Sequence, residues 1–307
     1  MTYQNGTQGA EVVVFGANGF LGSVITRKLH NSGFGVIPVI RPGGNKSRLN
    51  GLENLKVLEV ESGEWSRLVT KYAPSAIVCA QWNGVSKADR NNLELQDTNI
   101  ELILRIAVAA KESKVGSFIS FGSQAEANES IEAIKEDFYN SGESAYGIIK
   151  AKLHTQLAAL FENSDCRFIW ARVFSVYGPS DFSDSLLMQL FASQASGDEL
   201  VISNPSKFWS YLYEDDFASA VELILKNPTV ASTVNIGNPK FSEIREIVTI
   251  WHGGSPTDLA NYHTSQANTG FFPDVTKLKT IGWSTSISLQ EGIKRTRKAF
   301  SDRVNPK

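Results

Sequence analysis

Cysteine is scarce in this chain: Cys79 and Cys166 are the only two among 307 residues. They are too few for a disulfide framework, and both stand in apolar runs where a buried thiol in a reducing compartment is expected. Histidine is nearly as scarce. His30, His154, His252 and His263 are scattered, with no Cys, Asp or Glu at metal-ligand spacing, so no metal site is expected. An excess of either charge is missing too, since 30 Lys and Arg stand against 32 Asp and Glu. A formal net charge of −2 gives no hold to nucleic acid or to an anionic membrane surface. No apolar run approaches the ~18–20 residues of a membrane span. The polar stretch 1–10 has neither the basic start nor the apolar centre of a signal peptide. Internal repeats and a Gly-x-Ser-x-Gly elbow are also lacking, and the second absence argues against a hydrolase of that type. These absences, with a hydrophobic fraction of 42%, describe a soluble, cytoplasmic globular protein.

What is present begins with glycine. The valine-rich run Glu11–Phe15 meets Gly16-Ala17-Asn18-Gly19-Phe20-Leu21-Gly22, and an amphipathic stretch follows from Phe20 to Asn31. Its Leu21, Val24, Ile25 and Leu29 lie at helical spacing, and Gly33 ends it. A strand, a tight glycine turn and a helix make a dinucleotide site: the glycines let backbone approach a pyrophosphate, and the helix N-terminus offers it N–H groups and a positive dipole end. A second strand, 36–40, ends in Ile40 and Arg41, with Lys46 and Arg48 in the next loop. An acidic residue there would bind ribose hydroxyls and repel a 2′-phosphate. Its absence favours NADP(H) over NAD(H).

A third strand at 56–60 ends at Glu61, placed near the adenine, and a fourth at 75–80 ends at Ala80. In the loop that follows, Trp82 reads either as a wall of the substrate cleft or as packing. A helix over about 92–113 carries Asn99, read as structural. The fifth strand, 116–121, closes on Gly122-Ser123-Gln124. A helix started near Ser144 then carries Tyr146 and Lys150 on one face, about one turn apart. A lysine ammonium within roughly 4–6 Å favours a phenolate, which turns a Tyr with an ordinary pKa of about 10 into a proton donor and acceptor near neutral pH. A sixth strand at 165–173 follows. Beyond Phe174–Pro179 the alternation loosens into a helix over 183–194, a short strand at 200–203, an amphipathic helix over 214–226, a strand at 234–237, and a basic helix over 288–303.

The expected fold is therefore α/β: a Rossmann-type doubly wound parallel sheet with a smaller α/β C-terminal substrate lobe. Residues 1–174 form the dinucleotide-binding domain, to which 209–238 return; 175–208 and 239–307 form the substrate-binding lobe.

The glycine turn with Ser123, Tyr146 and Lys150 resembles the extended short-chain dehydrogenase/reductase family, within it the nucleotide-sugar epimerases, dehydratases and reductases. Arg172–Pro179, Tyr211–Ala218, Asp274–Leu278 and Gly282-Trp283 add secondary matches. The resemblance implies an NAD(P)-dependent oxidoreductase in which Ser123, Tyr146 and Lys150 are catalytic. Tyr146 would exchange a proton with a sugar oxygen, Ser123 would hydrogen-bond that oxygen, and Lys150 would hold the nicotinamide ribose and lower the Tyr146 pKa. The cofactor contacts expected are Gly16, Asn18, Gly19, Phe20, Leu21 and Gly22, then Arg41, Glu61 and Ala80, with Tyr146 and Lys150. Substrate contacts are expected from Trp82, Ser123, Gln124, Ser175, Leu186 and Trp209, and more broadly from 182–190. The family also implies a homodimer through the helices at 92–113 and 146–161.

Two departures from the family pattern narrow the chemistry. Sugar dehydratases follow the catalytic Ser or Thr with Asp and Glu; here Gln124 and Ala125 stand there, and Glu126 is one residue out of register, which argues against dehydration. Many relatives place a diphosphate-binding Arg just before the aromatic matched by Tyr211, whereas this chain has Phe208-Trp209-Ser210. Trp209 can stack on a base but cannot pair with a phosphate. The leading reading is reduction of a 4-keto-6-deoxy sugar nucleotide with NADPH. The alternatives are a 4-epimerase that retains NAD, a reductase of a non-sugar carbonyl, and a non-catalytic dinucleotide-binding sensor or scaffold.

Overall fold

The strand Glu11–Phe15 is buried at four of its five positions, and a strand buried on both faces needs helices on both sides. The computed structural model satisfies this for the whole central sheet; it describes residues 11–52, 54–138, 142–181, 185–197, 202, 204–254 and 269–304. In chain order the first elements are β1 (Glu11–Phe15), α1 (Phe20–Asn31), β2 (Gly35–Ile40), β3 (Leu58–Glu59), α2 (Trp65–Tyr72), β4 (Ala76–Cys79) and α3 (Leu93–Glu112). Next come β5 (Ser117–Ser123), α4 (Ala145–Phe161), β6 (Arg167–Val173), β7 (Val176–Tyr177), α5 (Leu186–Ser196), β8 (Phe208–Trp209) and β9 (Leu212–Tyr213). The chain continues through α6 (Glu214–Lys226), β10 (Ser232–Ile236), β11 (Ser242–Glu243), α7 (Ile244–Trp251), α8 (Thr276–Thr280) and α9 (Leu289–Val304).

Among the described residues, seven strands form one parallel sheet in the order β10-β6-β5-β4-β1-β2-β3. Strand order reverses between β1 and β4, which opens a crevice at the strands' carboxyl ends. One face is covered by α1, α6 and α8, whose Ile25, Leu29, Phe217, Val221 and Leu278 share a core with β1, β4 and β6. The other is covered by α2, α3 and α4 through Trp65, Val69, Ile103, Ile106, Ile149 and Leu153. A smaller apolar cluster joins β7, α5, β9, α7 and α9 through Tyr177, Leu187, Leu190, Tyr213, Trp251 and Ile293. This is the doubly wound sheet that the alternation of strand and helix predicts.

Local differences have local causes. Helix α2 is absent from the sequence reading although Trp65, Leu68, Val69 and Tyr72 lie at helical spacing; it is short and ends at Ala73, a left-handed residue with φ 41°. β3 shrinks to two residues, because the ladder with β2 spans only Val39–Leu58 and Ile40–Glu59. β5 runs further than expected, so Ser123 is its last residue. The serine is thus fixed by a ladder partner, Val173. Helix α5 starts at Leu186, capped by the Ser185 hydroxyl; of the expected strand at 200–203 only residue 202 is described, and positions 182–184 of the expected substrate segment lie outside the described residues.

Candidate active site

Gly16 has φ +76°, and a Cβ there would sit 2.9 Å from the backbone of Gln81. A Cβ on Gly22 would sit 2.2 Å from the Gly16 carbonyl oxygen. Both glycines are therefore required for the turn to close against β4 and α1. No side chain caps the start of α1, and its first turn carries no acidic residue. That leaves the helix N-terminus able to receive an anion, and the turn fits a pyrophosphate. Phe20 is buried and Leu21 half-buried in α1; Asn18 donates to the Asn45 carbonyl at 3.1 Å, tying the turn to the loop after β2. Ala80 stands beside Gly16 at the end of β4, its N–H bonded to Phe15 at 2.9 Å.

The three cations of the loop after β2 have separate fates. Lys46 is ion-paired with Glu59, whose other oxygen accepts the Gly43 N–H at 2.9 Å. Arg48 donates to the carbonyls of Ser180 and Asp181 at 2.8 and 3.3 Å, bridging to the turn after β7. Arg41 is exposed at the strand end, and Glu61 is exposed at the start of a single helical turn.

The ends of β5 and α4 bring the predicted trio together. The Ser144 hydroxyl caps α4 by accepting the Gly147 N–H at 3.1 Å. A Cβ on Gly147 would lie 2.0 Å from the Ala125 carbonyl oxygen, so helix and turn touch at this point. This contact sets Tyr146 near Ser123, whose hydroxyl draws the phenol's pKa down. Lys150 is buried and donates to the Phe121 carbonyl at 2.7 Å. Its ammonium lies 3.4 Å from the centre of the Trp82 ring. Trp82 packs on Lys150; its ring centre lies 5.7 Å from that of Tyr146, edge to face, and its indole N–H donates to Gln96 at 2.8 Å. Asn99 accepts the Asn83 N–H at 2.7 Å and holds the same loop.

The electrostatics differ from the sequence expectation at one point. Loss of water pushes the Tyr146 phenol above its ordinary value, and the groups that pull it back are Arg90 and then Ser123; Lys150 is not among them. Burial holds the Lys150 ammonium well below its usual range, with Glu126 opposing, and so takes away part of the charge the phenol would feel. Arg90, whose guanidinium lies 5.2 Å from the Tyr146 ring centre, was missed. A lone arginine in a polar loop gives no sequence signal.

Glu126, out of register for a dehydratase acid, lies in the core. It is 2% exposed and points beneath the site, accepting the Ser123 N–H at 2.6 Å, the Trp170 indole N–H at 3.0 Å and the Arg172 Nε–H at 3.3 Å. Arg172 in turn reaches the carbonyls of Lys135 and Phe138 and the Asn235 side chain. Burial raises the Glu126 carboxyl while Arg172 lowers it.

Among the substrate candidates, Ser175 donates to Gln124 at 2.9 Å and sits at φ +29°, a conformation that side-chain-bearing residues rarely hold. Leu186 packs into the second lobe's apolar cluster. Trp209 stands edge-on to Phe271 at 5.7 Å under the Lys207 ammonium at 4.8 Å, and Lys207 is ion-paired with Glu129. Among the described residues no cluster of three His, Cys, Asp or Glu could hold a metal ion, and no helix is long and apolar enough to cross a membrane.

Comparison with known proteins matches residues 12–237 to the model of the NAD dependent epimerase/dehydratase family. CDP-abequose synthase of Salmonella muenchen is 23% identical over 310 residues, 93% of this chain and 96% of that one. A trifunctional UDP-glucose 4,6-dehydratase/UDP-4-keto-6-deoxy-D-glucose 3,5-epimerase/UDP-4-keto-L-rhamnose-reductase of Arabidopsis thaliana is 28% identical over 157 residues, 49% of this chain. The match spans 24% of that plant protein's length. Among solved structures, UDP-glucose 4-epimerase of Thermotoga maritima with UDP-glucose superposes with a TM-score of 0.81 at 21% identity, covering 96% of this chain and 100% of that one. UDP-glucuronic acid 4-epimerase of Bacillus cereus in complex with NAD gives 0.80 at 20% identity over 95% and 96%. At these identities the two structures establish a shared fold.

Proposed function

Because the chain belongs to the NAD-dependent epimerase/dehydratase family, we propose that it is an oxidoreductase acting on a nucleotide-linked sugar, and that its reaction is reduction of a 4-keto sugar. The observation that carries this is the Ser123 hydroxyl placed near the Tyr146 phenol, with Lys150 one turn behind, beside a glycine turn that fits a pyrophosphate. The turn and the uncapped start of α1 would hold the dinucleotide, which when bound supplies the hydride. Tyr146 delivers the proton to the ketone oxygen, and Ser123 hydrogen-bonds that oxygen and orients it. Gln124 is bound to Ser175, Ala125 has no acid to offer, and Glu126 faces the core. None of the three is placed as the acid pair of a dehydration, which supports reduction. The lobe formed by 175–208 and 239–307 is the proposed seat of the sugar nucleotide.

Arg41, exposed at the end of β2, supports NADPH as the reductant. A second reading, a 4-epimerase that retains NAD, is favoured by Glu59 on β3, whose carboxylate reaches the loop after β2 and takes Lys46. The test is binding of NADPH and NADH to the purified protein, with any co-purifying cofactor recorded. Exchangeable NADPH and oxidation of it by 4-keto sugar nucleotides support the reductase; bound NAD(H) that does not exchange overturns it for the epimerase. Tyr146→Phe should lower turnover by about 100- to 10,000-fold with cofactor affinity unchanged. Unimpaired turnover in that variant removes the role assigned to Tyr146. A homodimer through α3 and α4 belongs to the same reading.

A further inference from the structure

The loop between β4 and α3 is built around one buried amide. Gln96, 0% exposed, accepts the Trp82 indole N–H and donates to the carbonyls of Gly84 and Asp89 at 2.7 and 3.1 Å. Asp89 closes the turn further by taking the Ser86 hydroxyl at 2.7 Å. The next residue is Arg90. Its backbone N–H donates to Ser86 and its Nε–H to Val85, both at 3.2 Å. These bonds direct the guanidinium over the face of Tyr146, 5.2 Å from the ring centre. Trp82 covers the same ring edge-on. Gln96 holds Trp82 directly and, through the Asp89 carbonyl, the turn that carries Arg90.

The charged groups that face Tyr146 come from three elements. Lys150, on the same helix, is 5.6 Å from the ring centre, but its ammonium is directed to the Phe121 carbonyl and the Trp82 face. Glu126, on the turn after β5, adds a negative charge from beneath, tied to Arg172. Arg90 stands on the solvent side. We propose that Arg90 is a second cation of the catalytic centre, holding negative charge on the Tyr146 oxygen as its proton leaves and returns. A guanidinium on an aromatic face also gains cation–π attraction, which keeps the side chain there although it is exposed. The proposal rests on the reading of Tyr146 as proton donor for its catalytic meaning, but its physical content can be measured without turnover.

The experiment uses cofactor-free protein carrying 3-fluorotyrosine, whose phenol ionises at lower pH. The Tyr146 fluorine resonance is identified by its loss in Tyr146→Phe and followed with pH in the native protein, Arg90→Met and Arg90→Lys. Arg90→Met should make Tyr146 about a ten-fold weaker acid, and Arg90→Lys should restore most of the difference. A midpoint in Arg90→Met equal to the native one overturns the proposal. So does an equal shift in Arg90→Lys, which would assign the effect to packing. The pH profile of kcat/KM on a 4-keto sugar nucleotide should move with the midpoint while NADPH affinity stays constant. If the resonance shifts but no such sugar is turned over, the proposed function fails and the placement of Arg90 stands.

Discussion

Glu126 is a carboxylate with almost no exposed surface, and all three of its donors come from groups that are themselves held in place. Removing one member of a buried ion pair leaves the other charge unpaired, at a cost of about 3–5 kcal/mol. Glu126→Gln places an amide N–H against the donors of Trp170 and Arg172, so urea denaturation should show a loss of that size. A loss under about 1 kcal/mol, the range of an exposed pair, would mean that the pair is open to water. At this scale the sequence is legible where a residue's partner is near in the chain. Tyr146 and Lys150 declare themselves by spacing. Glu126 and Arg172 do not, because their contact joins the turn after β5 to β6 across 46 positions, and Arg90 meets Tyr146 only once a loop has folded.

Between elements, the decisive contact is α4 against the turn after β5. Gly147 has no Cβ, and that absence lets the helix meet the Ala125 carbonyl. In Gly147→Ala the new methyl must push helix or turn aside, moving Tyr146 from Ser123. Displacements near 1 Å at a reacting group cost about 100-fold in rate. The variant should therefore lose turnover by roughly that factor while circular dichroism shows an intact helix content; full activity would place the contact elsewhere. Strands and helices were the most legible level: α1 and α6 have the bounds their periodicity predicts, because an apolar stripe and a charged face fit only one register. β3 was overestimated since only Leu58 and Glu59 find ladder partners in β2. α2 was overlooked since a short helix leaves little periodic signal.

At the level of the whole molecule, α3 and α4 present Leu93, Val108 and Ile148 to solvent, which is where the proposed dimer would close. Light scattering should return about twice the 33.7 kDa of one chain; the mass of a single chain would remove that interface. The doubly wound sheet was legible from alternation, with 209–238 expected to return to it, but the side-chain ties that hold its last strand were not. β10 lies beside β6 with Asn235 opposite Arg172, and Asn235 also bonds the carbonyls of Ile134 and Asp274. This has a consequence for synthesis. On a ribosome adding about 5–20 residues per second, the glycine turn, serine, tyrosine and lysine emerge seconds before Asn235 does. Until then β6 is an open sheet edge, the kind that pairs with foreign strands, and Arg172 lacks its Asn235 partner. The nascent chain carries its chemistry early and can assemble it only late, so the interval is one in which a chaperone has something to cover.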